Sequence, residues 1–162
     1  MTANNEQYSQ RYFLSMIVAM SLNILPLSNM VKSLNPEWVL LFLIYWSMAV
    51  PERIGVFNAW LLGILVDVLT GRLLGMHGLI YALINYTCLK LHRRLRHYPI
   101  PQQTIFVFFC LLVSQVLVFW IENLQGNAGL KWMFWLPVLT GTVCWPFIFS
   151  GLRWLRLLGR FA

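Results

Sequence analysis

Six apolar runs, separated by breaks too short to fold on their own, take up most of this 162-residue chain. They fall at about 12–30, 36–52, 54–70, 74–91, 105–121 and 132–152. A helix of about 20 apolar residues crosses the ~30 Å hydrocarbon core of a bilayer, where each backbone N–H and C=O must be bonded within the structure. The runs therefore predict an all-α membrane protein, a single integral membrane domain of six transmembrane helices. The second run is short. Pro36 to Val50 makes only about 22 Å of helix at ~1.5 Å per residue, and Pro51 stops or kinks it. It is expected to continue past Pro51 or to lie among other helices. Asn35 suits its N-cap, Pro36 its first position and Glu37 its positive end.

Composition agrees with lipid as the solvent: 59% of residues are hydrophobic and 10% charged, against about 25% charged in soluble domains. The net charge of +7 does not point to nucleic acid in so apolar a chain. It points to the cytoplasmic ends of helices, where bases collect. With the N-terminus in the cytoplasm, Arg11, Arg53, Lys90, Arg93, Arg94, Arg96, Arg153, Arg156 and Arg160 fall inside, and only Lys32, Arg72 and Lys131 outside. Both termini are then cytoplasmic, and "KLHRRLRHYP" is the loop between spans four and five, serving topology and contact with anionic lipids. Cys88, Cys110 and Cys144 lie in apolar runs without C-x-x-C spacing and are expected as buried thiols. The polar N-terminal stretch lacks the marks of a cleaved signal peptide.

The single aspartate stands inside the third run, in "GILVDVLTGRLLG". Gly63, Asp67 and Gly71 are four apart and so share one helical stripe, and Gly75 follows at the same interval. Small residues on a stripe let two helices approach closely in lipid. Gly63 and Gly71 are therefore expected to bring a neighbouring backbone near Asp67. A buried charge needs a partner or a donor set. Arg72 and His77 are the nearest in sequence, and the turn from Gly71 to Gly78 offers backbone N–H groups. A structural motif, a ligand or ion site, and a partner contact all remain open for this stretch. Span four repeats the spacing with His77, Tyr81 and Asn85, and span one with Ser15, Ala19 and Asn23. Trp46, Trp60 and Trp145 lie deep in their runs and are expected to pack.

Catalytic chemistry is poorly supplied. A carboxylate dyad needs two acids in one site, and Glu6, Glu37, Glu52 and Glu122 sit at span ends or in the N-terminal tail. There is no G-x-S-x-G, and two of the three histidines, His92 and His97, fall in the basic stretch. No metal-ligand spacing appears. The chain is expected to be no enzyme and to use no cofactor.

The segment "PEWVLLFLIYWSMAVPERIGVFNAWLLGILVDVLTGRLLGMHGL" resembles the MreD family of rod shape-determining proteins. The likeness rests on W-x-L-L-x-L-x-Y-W from Trp38 to Trp46, on Pro51 and Arg53, on the G-x-x-x-D-x-x-x-G-x-x-x-G core, and on "CWP" at Cys144 to Pro146. It implies a multi-pass protein of the bacterial inner membrane and a non-enzymatic part of the Rod complex, or elongasome. The implied partners are MreC, RodA and penicillin-binding protein 2, with MreB nearby in the cytoplasm. It also implies a fold similar to the substrate-binding subunits of energy-coupling-factor transporters. That likeness supplies the rival function, a small-molecule-binding transporter subunit. The thin outward polar inventory, Lys32, Glu37, Arg72, Glu122, Asn123, Gln125 and Lys131, favours the scaffold.

Overall fold

A computed structural model describes residues 2–25, 34–126 and 132–158. Lys32, Lys131 and Arg160, the far end of the first apolar run and both terminal residues lie outside the described residues. The described chain forms six α-helices: α1 (Thr2–Ile24), α2 (Trp38–Ala49), α3 (Val56–Thr70), α4 (Met76–Leu95), α5 (Ile100–Leu124) and α6 (Leu136–Leu158). A 3-10 turn, Trp132–Trp135, leads into α6, and no strand occurs among the described residues.

Contacts between helix ends sort the bundle into two ends. At one, the Arg72 guanidinium meets Glu122, and Gln115 donates to the Phe134 carbonyl. At the other, Gln103 donates to the Leu95 carbonyl and Arg11 to that of Arg156. The second end carries Arg11, Arg53, Lys90, Arg93, Arg94, Arg96, Arg153 and Arg156. Arg72 is the described base at the first.

Helix α2 sits in the middle, packed on α1, α4, α5 and α6. Nine of its 12 residues are buried, on every side of the helix, as expected of a helix apolar all round. It ends at Ala49, and the Val50 N–H closes its last turn on Trp46. Pro51 thus stops the helix, and residues 51–53 form a turn before α3. The start also differs from the sequence expectation. The helix begins at Trp38, and Asn35 is no cap: its Oδ1 accepts the Trp38 indole N–H at 2.7 Å. Glu37 instead accepts the Ser114 hydroxyl of α5 at 3.0 Å.

The basic run after span four is a loop only in its second half, residues 96–99. Helix α4 continues through His92, Arg93 and Arg94 to Leu95, because bases are favourable in the last turn, at the negative end of the helix dipole. Helix α1 already begins at Thr2, so the polar stretch before Tyr12 is helical too.

Two segments, Ile100–Leu124 and Trp132–Leu157, are long and apolar enough to cross a membrane, while α2 and α3 are apolar but shorter. The outside of the bundle is apolar as well. Phe57, Val68, Leu79, Trp120 and Phe147 are each more than half exposed. A water-soluble bundle would place polar residues on such faces.

Candidate functional site

The turn between α3 and α4 is built around Asp67. Helix α3 ends because Gly71 takes a left-handed conformation, φ +65°. The Asp67 carbonyl then accepts from the N–H of Gly71 and, at 3.1 Å, from that of Arg72. This is the helix-ending geometry glycine permits without a Cβ penalty. Gly75, at φ +91°, turns the chain into α4.

The side chain of the same residue closes the turn from the other side. Asp67 Oδ2 accepts the N–H of Gly75 at 2.9 Å and that of His77 at 3.0 Å. Oδ1 lies 2.6 Å from His77 Nδ1. His77 donates there in the tautomer that lets the carboxylate accept on both oxygens. The first N–H groups of a helix have no partner within it and carry partial positive charge. Asp67, 0% exposed, supplies α4 with acceptor and counter-charge together. It therefore holds the end of one helix with its backbone and the start of the next with its carboxylate.

The glycines around it do different work. Gly63 lies where α3 crosses α4. A Cβ there would run into the His77 carbonyl and the Gly78 backbone nitrogen, and would stand 2.5 Å from the Gly78 Cα. The close approach expected on this stripe is thus made at Gly63. At Gly71 the expectation is corrected: nothing lies within 4 Å of a Cβ placed there, or at Gly75. Helix α3 has ended before residue 71, so Gly71 no longer shares its stripe. Arg72 is corrected too as a partner for the carboxylate. Its guanidinium pairs with Glu122 at 3.4 Å, both side chains partly exposed.

The remaining candidates hold the centre of the bundle. Trp46, 1% exposed, donates its indole N–H to Ser15 Oγ at 2.9 Å, and Ser15 bonds the Tyr12 carbonyl. The Tyr12 and Trp46 rings meet edge to face, with centroids 5.9 Å apart. Together these contacts fasten α1 to α2. Ser47 bonds the Asn85 side chain, and the Asn85 amide donates to the Ile54 carbonyl at 3.3 Å. Asn85 thereby ties the linker that contains Pro51 and Arg53 to α4. Within that linker the Arg53 carbonyl accepts from Asn58. Trp145 is buried, whereas Trp60 is 41% exposed and packs with one edge only, over Gly78 of α4 and beside Phe57.

Sequence reasoning passed over Ser47, Ser114, Gln103 and Gln115. Ser114 and Gln115 carried a signal, as polar neighbours in the otherwise apolar run from Ile105 to Ile121. Most of these side chains do the same thing, satisfying a main-chain group or another buried polar atom at a helix end. Among the described residues, no three of His, Cys, Asp and Glu cluster as a metal site requires. The chemistry available at Asp67 is that of a buried hydrogen-bond acceptor for its own turn.

A family model described as rod shape-determining protein MreD matches residues 7–155. The rod shape-determining protein MreD of Haemophilus influenzae (strain ATCC 51907 / DSM 11121 / KW20 / Rd) is similar to this chain. It is 27% identical over 140 residues, covering 86% of each protein. No solved structure matches the chain.

Proposed function

Because the chain belongs to the MreD family of rod shape-determining proteins, we propose that it acts as a non-enzymatic scaffold of the Rod complex. In this reading it is a multi-pass protein of the bacterial inner membrane with both termini in the cytoplasm. It binds MreC and works beside RodA and penicillin-binding protein 2, with MreB on the cytoplasmic side, to keep peptidoglycan synthesis on the lateral wall.

The observation that carries this reading is how Asp67 is used. Its carboxylate is buried and both oxygens are occupied by N–H groups of its own chain. A residue so engaged orders the α3–α4 turn, and its burial closes the carboxylate to a substrate from outside. The apolar outer faces of the helices support lipid or partner helices as neighbours. The gathering of described bases at one end supports a cytoplasmic location for that end.

The rival reading, a transporter subunit with the fold of the energy-coupling-factor family, would use the Asp67, Arg72 and His77 end for ligand capture. The buried, internally bonded carboxylate and the Arg72–Glu122 pair weigh against it. Deletion of the gene decides between the two. The scaffold reading expects rounded cells with failing lateral-wall synthesis, and co-purification of MreC with the tagged protein in detergent. Rod-shaped deletion cells with impaired uptake of a small molecule would replace it.

A further inference from the structure

Three arginines converge on a cleft at the end of the bundle opposite Asp67. The cleft holds about 220 Å³ between the end of α2, the α4–α5 turn and the last turns of α6. Arg96, Arg153 and Arg156 line it, with Tyr45, Gln103 and Phe149. None of the three guanidinium groups pairs with a carboxylate among the described residues; Glu122 is taken by Arg72, and Asp67 by N–H groups of its own turn. Glu52 is the one described carboxylate side chain at this end, and it is exposed on the turn after α2.

The polar atoms of the wall are also unsatisfied. Tyr45 is 2% exposed and Gln103 4%. Tyr45 Oη and Gln103 Oε1 nonetheless have no hydrogen-bond partner, although Gln103 spends its amide nitrogen on the carbonyls of Leu95 and Tyr98. Buried polar groups are normally bonded, and an orphan asks for an explanation. The cleft thus presents three cations, and behind its wall a phenol hydroxyl and an amide oxygen, both covered, that a small side-chain shift turns toward a ligand. Its floor is apolar, formed by Phe149 and neighbours from α2.

That donor set matches an anion which also carries a hydroxyl. Arginine is suited to phosphate oxygens through paired N–H donors. A basic pocket between helices at a membrane surface suits an anionic lipid headgroup. Resting on the membrane reading above, we propose that this cleft binds the phosphate of an anionic, hydroxyl-bearing phospholipid of the phosphatidylglycerol type. The arginines take the phosphate, Tyr45 Oη donates to one of its oxygens, and Gln103 Oε1 accepts the headgroup hydroxyl. An acyl chain leaves over the apolar floor.

The test uses the full chain in detergent, titrated with phosphatidylglycerol or phosphatidylethanolamine of matched acyl chains and read by native mass spectrometry. Phosphatidylglycerol is expected to be retained about tenfold better. R96Q/R153Q removes that preference, whereas R93Q/R94Q, the same charge loss from exposed positions of α4 outside the cleft, changes it by less than about twofold. Y45F, which keeps the ring and loses only the hydroxyl, weakens retention and decides the matter if R96Q/R153Q does not fold. Equal losses in the two double variants, no headgroup preference, unchanged retention in Y45F, or displacement by millimolar inorganic phosphate overturns the proposal. A chain that stays in solution without detergent refutes the membrane reading instead, and is told apart by that behaviour.

Discussion

Asp67 and His77, ten residues apart, are joined twice: the carboxylate accepts the backbone N–H of His77 at 3.0 Å and stands 2.6 Å from its ring Nδ1. One contact fixes where α4 begins and the other fixes the orientation of the imidazole. The ring in turn stacks edge to face on Tyr81, one turn further along, with centroids 5.7 Å apart. The pair therefore links the α3–α4 turn to the packed interior of α4.

This arrangement separates two substitutions of Asp67. Asn keeps an oxygen for the Gly75 and His77 N–H groups, and its NH2 donates to Nδ1 once the imidazole takes its other tautomer. Leu leaves those donors buried and unpaired, at ~1–3 kcal/mol for each group. D67N is expected to accumulate near the wild-type level and to lose about 1 kcal/mol of stability, and D67L to fall sharply in membrane level and melting temperature. Normal accumulation of D67N with complete loss of rod shape would assign the charge a role beyond the fold.

The glycines are expected to rank by mechanism rather than by spacing. Gly63→Ala forces α3 and α4 apart and is the most harmful. Gly71→Ala meets only the left-handed torsion, about 1–2 kcal/mol, and Gly71→Asn less, since Asn tolerates that region. Gly71→Leu is expected to resemble Gly71→Ala, because its Cβ enters open space. Denaturation of the purified variants gives the order; a Gly71→Leu change as severe as Gly63→Ala would place a helix contact at residue 71.

Arg72 and Glu122 form a half-exposed ion pair, and such pairs contribute about 0–1 kcal/mol. R72Q, E122Q and the double variant are expected to melt within a few degrees of wild type, with a coupling energy under about 1 kcal/mol in a double-mutant cycle. A larger coupling would mean that the pair is shielded from water in the membrane.

How much of this was legible in the sequence depends on which force sets each feature. Hydropathy marks α3 well, because apolar run and helix coincide there, whereas α5 starts at Ile100, five residues before the apolar run, in a polar first turn with Pro101 near its start. It misplaces the end of α4, where arginines continue the helix for electrostatic reasons while the apolar run stops at Leu91. It cannot separate Gly63 from Gly71, since a four-residue interval implies a shared stripe only while the helix lasts. The Asp67–His77 pairing was within reach as one of several partners. The turn from Gly71 to Gly78 is legible as the source of backbone donors, and Gly75 and His77 lie in it; which of its N–H groups reach the carboxylate is set by the turn's path, not by residue identity.

Topology gives a further expectation. If the six helices alternate across the membrane as proposed, reporter fusions at His97 and at Ala162 both report the cytoplasm. A periplasmic signal from either would break the even count of crossings.

Helix α2 bears on how the protein is made. Its 12 residues span about 18 Å, well short of the ~30 Å hydrocarbon layer, so it cannot settle across a bilayer alone. It also emerges from the ribosome before α4, which bears the Asn85 side chain that Ser47 bonds. Until α4 follows, that serine lacks its distant partner. The segment at the heart of the bundle is therefore synthesised second, can dock at once only on α1 through Trp46 and Ser15, and completes its buried contacts once α4, α5 and α6 have followed.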